Sequence, residues 1–241
     1  MSTANILVSY RPAFVSENAS APSQFEKRLP TLLSVIAGLV DLTGYLNLGN
    51  LFTAHITGNL VVVAALVVRG GRTNPAQILA IPIFVLAVAA TWLLAKASGK
   101  HGQSLARLLL LMQFMLLACV LILSAITKPS ANPHGLIAGI TAMIAVSAMA
   151  CQFALLRLAL PVAPSTAVMT GNLTNTVLAL LDSRSRTHRL LAGDAERLRE
   201  SLHLLIGFFG GCVVAAVAVS LLGDWAWTLP VLLAWVAFKL R

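Results

Sequence analysis

The chain of 241 residues is 58% hydrophobic and only 10% charged, with a mean hydropathy of +0.87, where a soluble domain carries about a quarter charged residues. That balance excludes a water-soluble globular protein, a disordered chain, and a nucleic-acid binder, which would gather basic residues on a folded polar face. The formal charge of +9, from 17 Lys+Arg against 8 Asp+Glu, is therefore read by its placement along the chain, which in a membrane protein encodes orientation.

Residues 1–29 include Arg11, Glu17, Glu26, Lys27 and Arg28 and lack the basic start and apolar stretch of a secretory signal, so they read as a polar cytoplasmic tail. A bilayer core about 30 Å thick takes roughly 20 apolar residues per helix. Eight apolar segments follow, approximately Pro30 to Leu48, Thr53 to Val68, Pro75 to Ala97, Leu105 to Thr127, Gly135 to Leu158, Thr166 to Leu181, His203 to Leu222 and Trp225 to Phe238. The fold class is all-α, a polytopic transmembrane bundle of about eight helices. The second, sixth and eighth segments are short enough for half-insertion, which sets the range at six to eight.

With eight crossings and the N-terminus in the cytoplasm, thirteen of the seventeen basic residues fall inside, among them five arginines from Arg184 to Arg199 and the terminal Lys239 and Arg241. Lys96, Lys100, Arg107 and Arg157 fall outside. Both termini are expected in the cytoplasm, and the loop from Lys96 to Arg107 argues locally against that count. The charged stretch 182–202 reads either as a helix on the inner headgroups, its arginines on anionic lipid, or as a solvated loop that sets topology.

Self-comparison shows a repeat. Thr53-Ala-His-Ile-Thr-Gly-Asn-Leu60 recurs as Thr166-Ala-Val-Met-Thr-Gly-Asn-Leu173, and Ile-Ala-Gly precedes each at Ile36 to Gly38 and Ile137 to Gly139. The membrane domain, 30–241, thus divides into repeat one, about 30–127, and repeat two, about 135–240. Four crossings per unit would leave the copies parallel, and an odd number would invert them. Each octapeptide opens a short apolar segment. Backbone that starts a helix at membrane depth needs protein or trapped water for its N–H and C=O groups, and paired short segments point to a transporter site. Free N–H groups there, with Thr and Asn side chains, suit a small anionic or polar solute. Helix capping and close packing of small residues explain the same motif without a solute.

Asp41 is the acid set inside an apolar helix, where a mid-bilayer Asp costs about 2.5–3.5 kcal/mol, so it must face the bundle or water. It reads as a proton or cation site, or as a structural hydrogen bond to the Thr57/Asn59 motif. His55 has Val168 as its counterpart and reads as a proton-exchange partner of Asp41, or as a capping residue. Gln152 is the amide nearest the position of Asp41 in repeat two, and Gln113 is the other amide within a span. Arg157 and Lys96 are expected to snorkel. Gly207-x-x-x-Gly211 marks a close helix contact, internal or in a homodimer. The candidate pathway set is Asp41, His55, Thr57, Gly58, Asn59, Gln152, Thr170, Gly171, Asn172 and Asn175. Cys119, Cys151 and Cys212 lie in apolar runs without disulfide or metal spacing. No metal motif, nucleophile elbow, phosphate loop or carboxylate pair is present, so neither an enzyme nor a cofactor is expected.

Ala37-Gly-Leu-Val-Asp-Leu-Thr-Gly-Tyr45, Phe52-Thr-Ala-His-Ile-Thr-Gly-Asn-Leu60 and the later Cys151-Gln-Phe-Ala-Leu-Leu-Arg157 and Thr166-Ala-Val-Met-Thr-Gly-Asn172 stretches resemble the YoaK-like family of bacterial integral membrane proteins, a family of unknown function. The resemblance implies a bacterial inner-membrane location and no substrate. Two functions are open: a small-solute transporter or channel with its site between the two Thr-Gly-Asn helix starts, and a non-transporting scaffold or accessory subunit.

Overall fold

The computed structural model describes residues 24–70, 74–161, 165–166, 169–184 and 192–240. They form eight α-helices: α1 Gln24–Asn47, α2 Ile56–Val68, α3 Pro75–Ser98, α4 Gly102–Thr127, α5 Leu136–Ala159, α6 Met169–Arg184, α7 Ala192–Leu222 and α8 Thr228–Lys239. Short 3₁₀ turns cover Pro129–Ala131 and Gly223–Trp227, and no strand occurs among the described residues. The chain is an all-α helical membrane bundle, as its composition required. Helix ends are set locally. Asn74 caps α3 by accepting from Ala76 N at 3.0 Å, with Pro75 at the first helical position. Gly99 ends α3 in the left-handed region at φ 60°, and Gly223 ends α7 at φ 56°.

Among the described residues, five stretches are long and apolar enough to cross a bilayer, the last being Leu198–Lys239, 42 residues that bend back at Gly223–Trp227 to include most of α7 and all of α8. α1 and α5 are the spine, with 67% and 56% of their apolar windows buried against 17% for α3.

Cross-links between helix ends fix the directions. Asn74 at the start of α3 donates to Gly49 O just past the end of α1, and Gln77 donates to Asn50 O. Asn47 donates to Gly223 O, and Ser130 donates to Asp224. One face, here the far face, therefore holds the ends of α1, α4 and α7 and the starts of α3, α5 and α8. The terminal face holds the start of α1 and the end of α8. α1 and α7 run parallel, with Gly207 against Thr31 and Gly211 against Val35. A Cβ on Gly38 would strike Phe208 O and one on Gly211 would strike Val35 O, so this close approach needs glycine. The glycine pair of α7 thus makes an internal contact.

α2 leaves the end of α1 and leads to the start of α3, both on the far face. α6 joins the end of α5 to the start of α7 on the terminal face. Among the described residues, α2 and α6 therefore each connect helix ends on one face, as re-entrant half-helices would, and the other six helices run from one face to the other. Six is the lower end of the expected range of six to eight; helix length does not decide it, since α8 with 12 residues is shorter than α2 with 13, and what sets α2 and α6 apart is that the helices flanking each of them meet it on one face. The conflict at Lys96 to Arg107 disappears with six crossings. Of the twelve basic residues in the described segments, ten sit at the terminal face: Lys27, Arg28, Lys96, Lys100, Arg107, Arg157, Arg184, Arg197, Arg199 and Lys239. Arg69 and Lys128 sit at the far face. Much of the tail 1–29 and of the stretch assigned to anionic lipid lies outside the described residues.

α2 packs on α3 and α6 on α7; α1 packs most on α7, as α5 does on α3 and α4; α8 packs on α4 and α1.

Candidate functional site

Asp41 lies six residues before the end of α1, about 9 Å along the helix axis from the far face. After Asn47 the chain turns through Gly49 and Asn50, both at positive φ, and dips back alongside α1. Residues 53–55 thereby return to the depth of Asp41, and α2 starts there. Asp41 Oδ1 accepts from Thr53 N at 2.8 Å, Ala54 N at 2.7 Å and His55 N at 3.3 Å. These donors, in the turn that leads into α2, are thus satisfied from a neighbouring helix instead of being left bare at membrane depth. His55, formally the N-cap, makes no side-chain cap bond. Its Nδ1 instead meets Asp41 Oδ2 at 2.7 Å.

Three of the four contacts to the carboxyl come from backbone N–H groups on Oδ1, and the fourth joins Oδ2 to His55 Nδ1, which donates when the ring proton sits on Nδ1. Nε2 is left as the second ring nitrogen. Asp41 is buried at 4% exposure, whereas the His55 side chain is 38% exposed. One partner is therefore enclosed by protein and the other is partly uncovered.

Around the pair lies a cavity of about 280 Å³, lined by Asp41, Leu42, Tyr45, Phe52, His55, Phe208 and Cys212. Tyr45 and Phe52 stack with centroids 4.8 Å apart, and His55 meets Phe208 edge-on at 5.0 Å. The cavity runs from Tyr45, near the far face, to Phe208 within α7. It is an open aromatic pocket with an almost wholly apolar wall, and Asp41 and His55 are the carboxyl and the imidazole that line it.

Asn59 holds the turn from below: Phe52 N donates to its Oδ1 at 2.9 Å and its Nδ2 donates to Phe52 O at 2.8 Å. Gly58 packs under the Phe52 ring, where a Cβ would come within 3.1 Å. Asp41, His55, Gly58 and Asn59 are thus brought together, while Thr57 is exposed on the outer side of α2.

The second octapeptide forms a separate element on the other face. Asn172 is buried and donates to Ser165 O at 3.0 Å, the same seven-residue tie that Asn59 makes to Phe52. Thr53 and Thr166, first in each octapeptide, are both buried, and neither hydroxyl has a partner among the described residues. Thr170 and Asn175 are exposed and Gly171 is half-buried. Val168 is outside the described residues. The two elements pack on different helices, α2 on α3 and α6 on α7.

Gln152 is not the counterpart of Asp41. It accepts from Gln113 Nε2 at 2.7 Å and donates to Leu33 O at 2.9 Å, clamping α4, α5 and α1 in the core. Twelve residues before Thr166, the spacing of Asp41 to Thr53, stands buried Ala154. The Ile-Ala-Gly pairs also differ in place, deep in α1 but in the first turn of α5. Sequence reasoning missed Tyr45, Phe52, Phe208 and Cys212. The available signal was the glycine stripe of α7, since Phe208 and Cys212 each follow one of its glycines.

The comparisons with known proteins agree with a multi-pass membrane protein. A 38-residue stretch is 50% identical to UPF0700 transmembrane protein YoaK of Bacillus subtilis (strain 168), covering 16% of this chain and 17% of that protein. No solved structure matches the chain. Residues 29–239 match the model of a protein family of unknown function, DUF1275, and the chain belongs to that family.

Proposed function

We propose that this protein is a small-solute transporter of the bacterial inner membrane, with both termini in the cytoplasm and a solute site at the Asp41–His55 cavity. The observation that carries the reading is a buried carboxylate paired with a partly uncovered imidazole at the start of a re-entrant helix, beside a cavity of about 280 Å³. Intramembrane ionisable groups are expensive and serve pathways or relays. Broken or half-length helices are where transporters build their sites.

The basic residues crowding the terminal face support its assignment to the cytoplasm. The chain reads further as two units of inverted topology, 24–127 and 136–239. Three crossings and one half-helix make each unit. Its packing supports this: exchanging the units turns α1–α7 into α5–α3, α2–α3 into α6–α7, and α4–α5 into α8–α1. In such folds one unit rocks against the other around the site.

Proteoliposome uptake over a panel of small cations, anions and neutral metabolites, with and without a pH gradient, tests the reading. Uptake of at least one class is expected, reduced about tenfold or more by Asp41→Asn. No uptake in the panel, or uptake indifferent to Asp41→Asn, would overturn it.

A further inference from the structure

We propose that the Asp41 cavity binds a small monovalent organic cation in exchange for one proton on His55. This rests on the cavity's reading as a solute site and names its substrate class. Three observations point the same way. The N–H groups of residues 53–55, in the turn that leads into α2, are consumed by Asp41 Oδ1 and that of Gly58 by His55 O, so none of these four donors is offered to an anion. The remaining walls are aromatic and aliphatic, with Tyr45, Phe52 and Phe208 presenting ring surface suited to a cation. The fixed charge in the chamber is the single carboxylate of Asp41.

His55 decides whether that charge is available. With a neutral ring, donating Nδ1–H to Asp41, the chamber carries one net negative charge and attracts a cation. When Nε2 takes a proton from solvent, the imidazolium neutralises Asp41 and a second cation within a few ångströms is repelled at low dielectric. Cation entry therefore requires loss of the Nε2 proton to water, one proton per cation. The titratable groups facing His55 are Asp41 and Tyr45 from α1 and Cys212 from α7, and Asp41 alone is formally charged. The proton reaches Nε2 through the cavity that His55 lines.

The test uses the full-length protein in detergent with benzyltrimethylammonium, whose charge does not titrate. Its uncharged isostere neopentylbenzene and the anion benzylsulfonate serve as controls. Binding by calorimetry between about pH 5 and 9 should weaken about tenfold per pH unit on the acid side of the His55 titration and level off above it. A weakly buffered solution should show proton release approaching one per cation on the acid side. His55→Gln should bind the cation without pH dependence or proton release. Asp41→Asn should lose binding, and where it misfolds, the wild-type proton count and His55→Gln still decide. Equal binding of neopentylbenzene, preference for benzylsulfonate, or pH-independent binding by the wild type would overturn the proposal. Transport is judged separately by flux: cation binding with proton release but no flux would refute transport alone, whereas flux restricted to anions or neutral solutes would refute the cation site alone.

Discussion

The two Thr-Gly-Asn segments share a backbone device and differ in chemistry. In each, a buried Asn ties its half-helix to the residue seven positions earlier, and a buried Thr opens the motif. Only the first has an acid twelve residues upstream and a histidine at its third position; the second has Ala154 and Val168 there. The shared part builds a half-helix and the unshared part equips it. Repetition alone therefore marks architecture, and it is the break in the repeat that marks the candidate site.

Substitutions that erase the difference should have the largest effects. Asp41→Ala places before the first octapeptide the residue type that stands twelve residues before the second, and strands three backbone N–H groups and His55. A loss of about 3–5 kcal/mol is expected, read as a fall in Tm in detergent, together with lost uptake. His55→Val, also a copy of the second unit, removes one charge-assisted hydrogen bond at about 1.5–3 kcal/mol and abolishes any pH dependence of solute binding. Gly211→Ala forces α7 off α1 behind the cavity and should cost about 1–3 kcal/mol in thermal unfolding, whereas Gly210→Ala, with no neighbour within 4 Å, should stay within about 0.5 kcal/mol. The shared ties should matter least to function. Asn59→Ala, losing two hydrogen bonds, should cost about 2 kcal/mol and Asn172→Ala about 1, with solute preference unchanged in uptake competition.

Much of this was legible in the sequence. All eight helices begin and end within a few residues of the apolar segments, apart from the longer starts of α1 and α7, because hydrophobic run length and the punctuation at Asn74, Gly99 and Gly223 are local signals. The Asp41–His55 pairing was legible as well, since the intervening turn is short. Crossing number was not: a 13-residue apolar helix has the same composition whether it spans or returns, and what settles it is tertiary, such as Asn74 reaching Gly49. The second unit misled for a related reason. Gln152 is polar and lies close to the right spacing, but it turns to Gln113 and Leu33 on neighbouring helices. The aromatic walls were hidden because Phe208 and Cys212 come from a helix 150 residues away, a contact that depends on glycines elsewhere on α1 and α7.

The Asp41 site depends on six crossings, with the half-helices entering from opposite faces. Single cysteines at two exposed positions, Ser104→Cys at the start of α4 and Ala131→Cys after its end, test this in a background with the native cysteines replaced. A membrane-impermeant maleimide is applied to vesicles of known orientation carrying a C-terminal tag. Six crossings predict that position 104 is labelled from the side of the tag and position 131 from the other. Labelling of 131 from the tag side and of 104 from the opposite side is the eight-crossing result and would contradict the account.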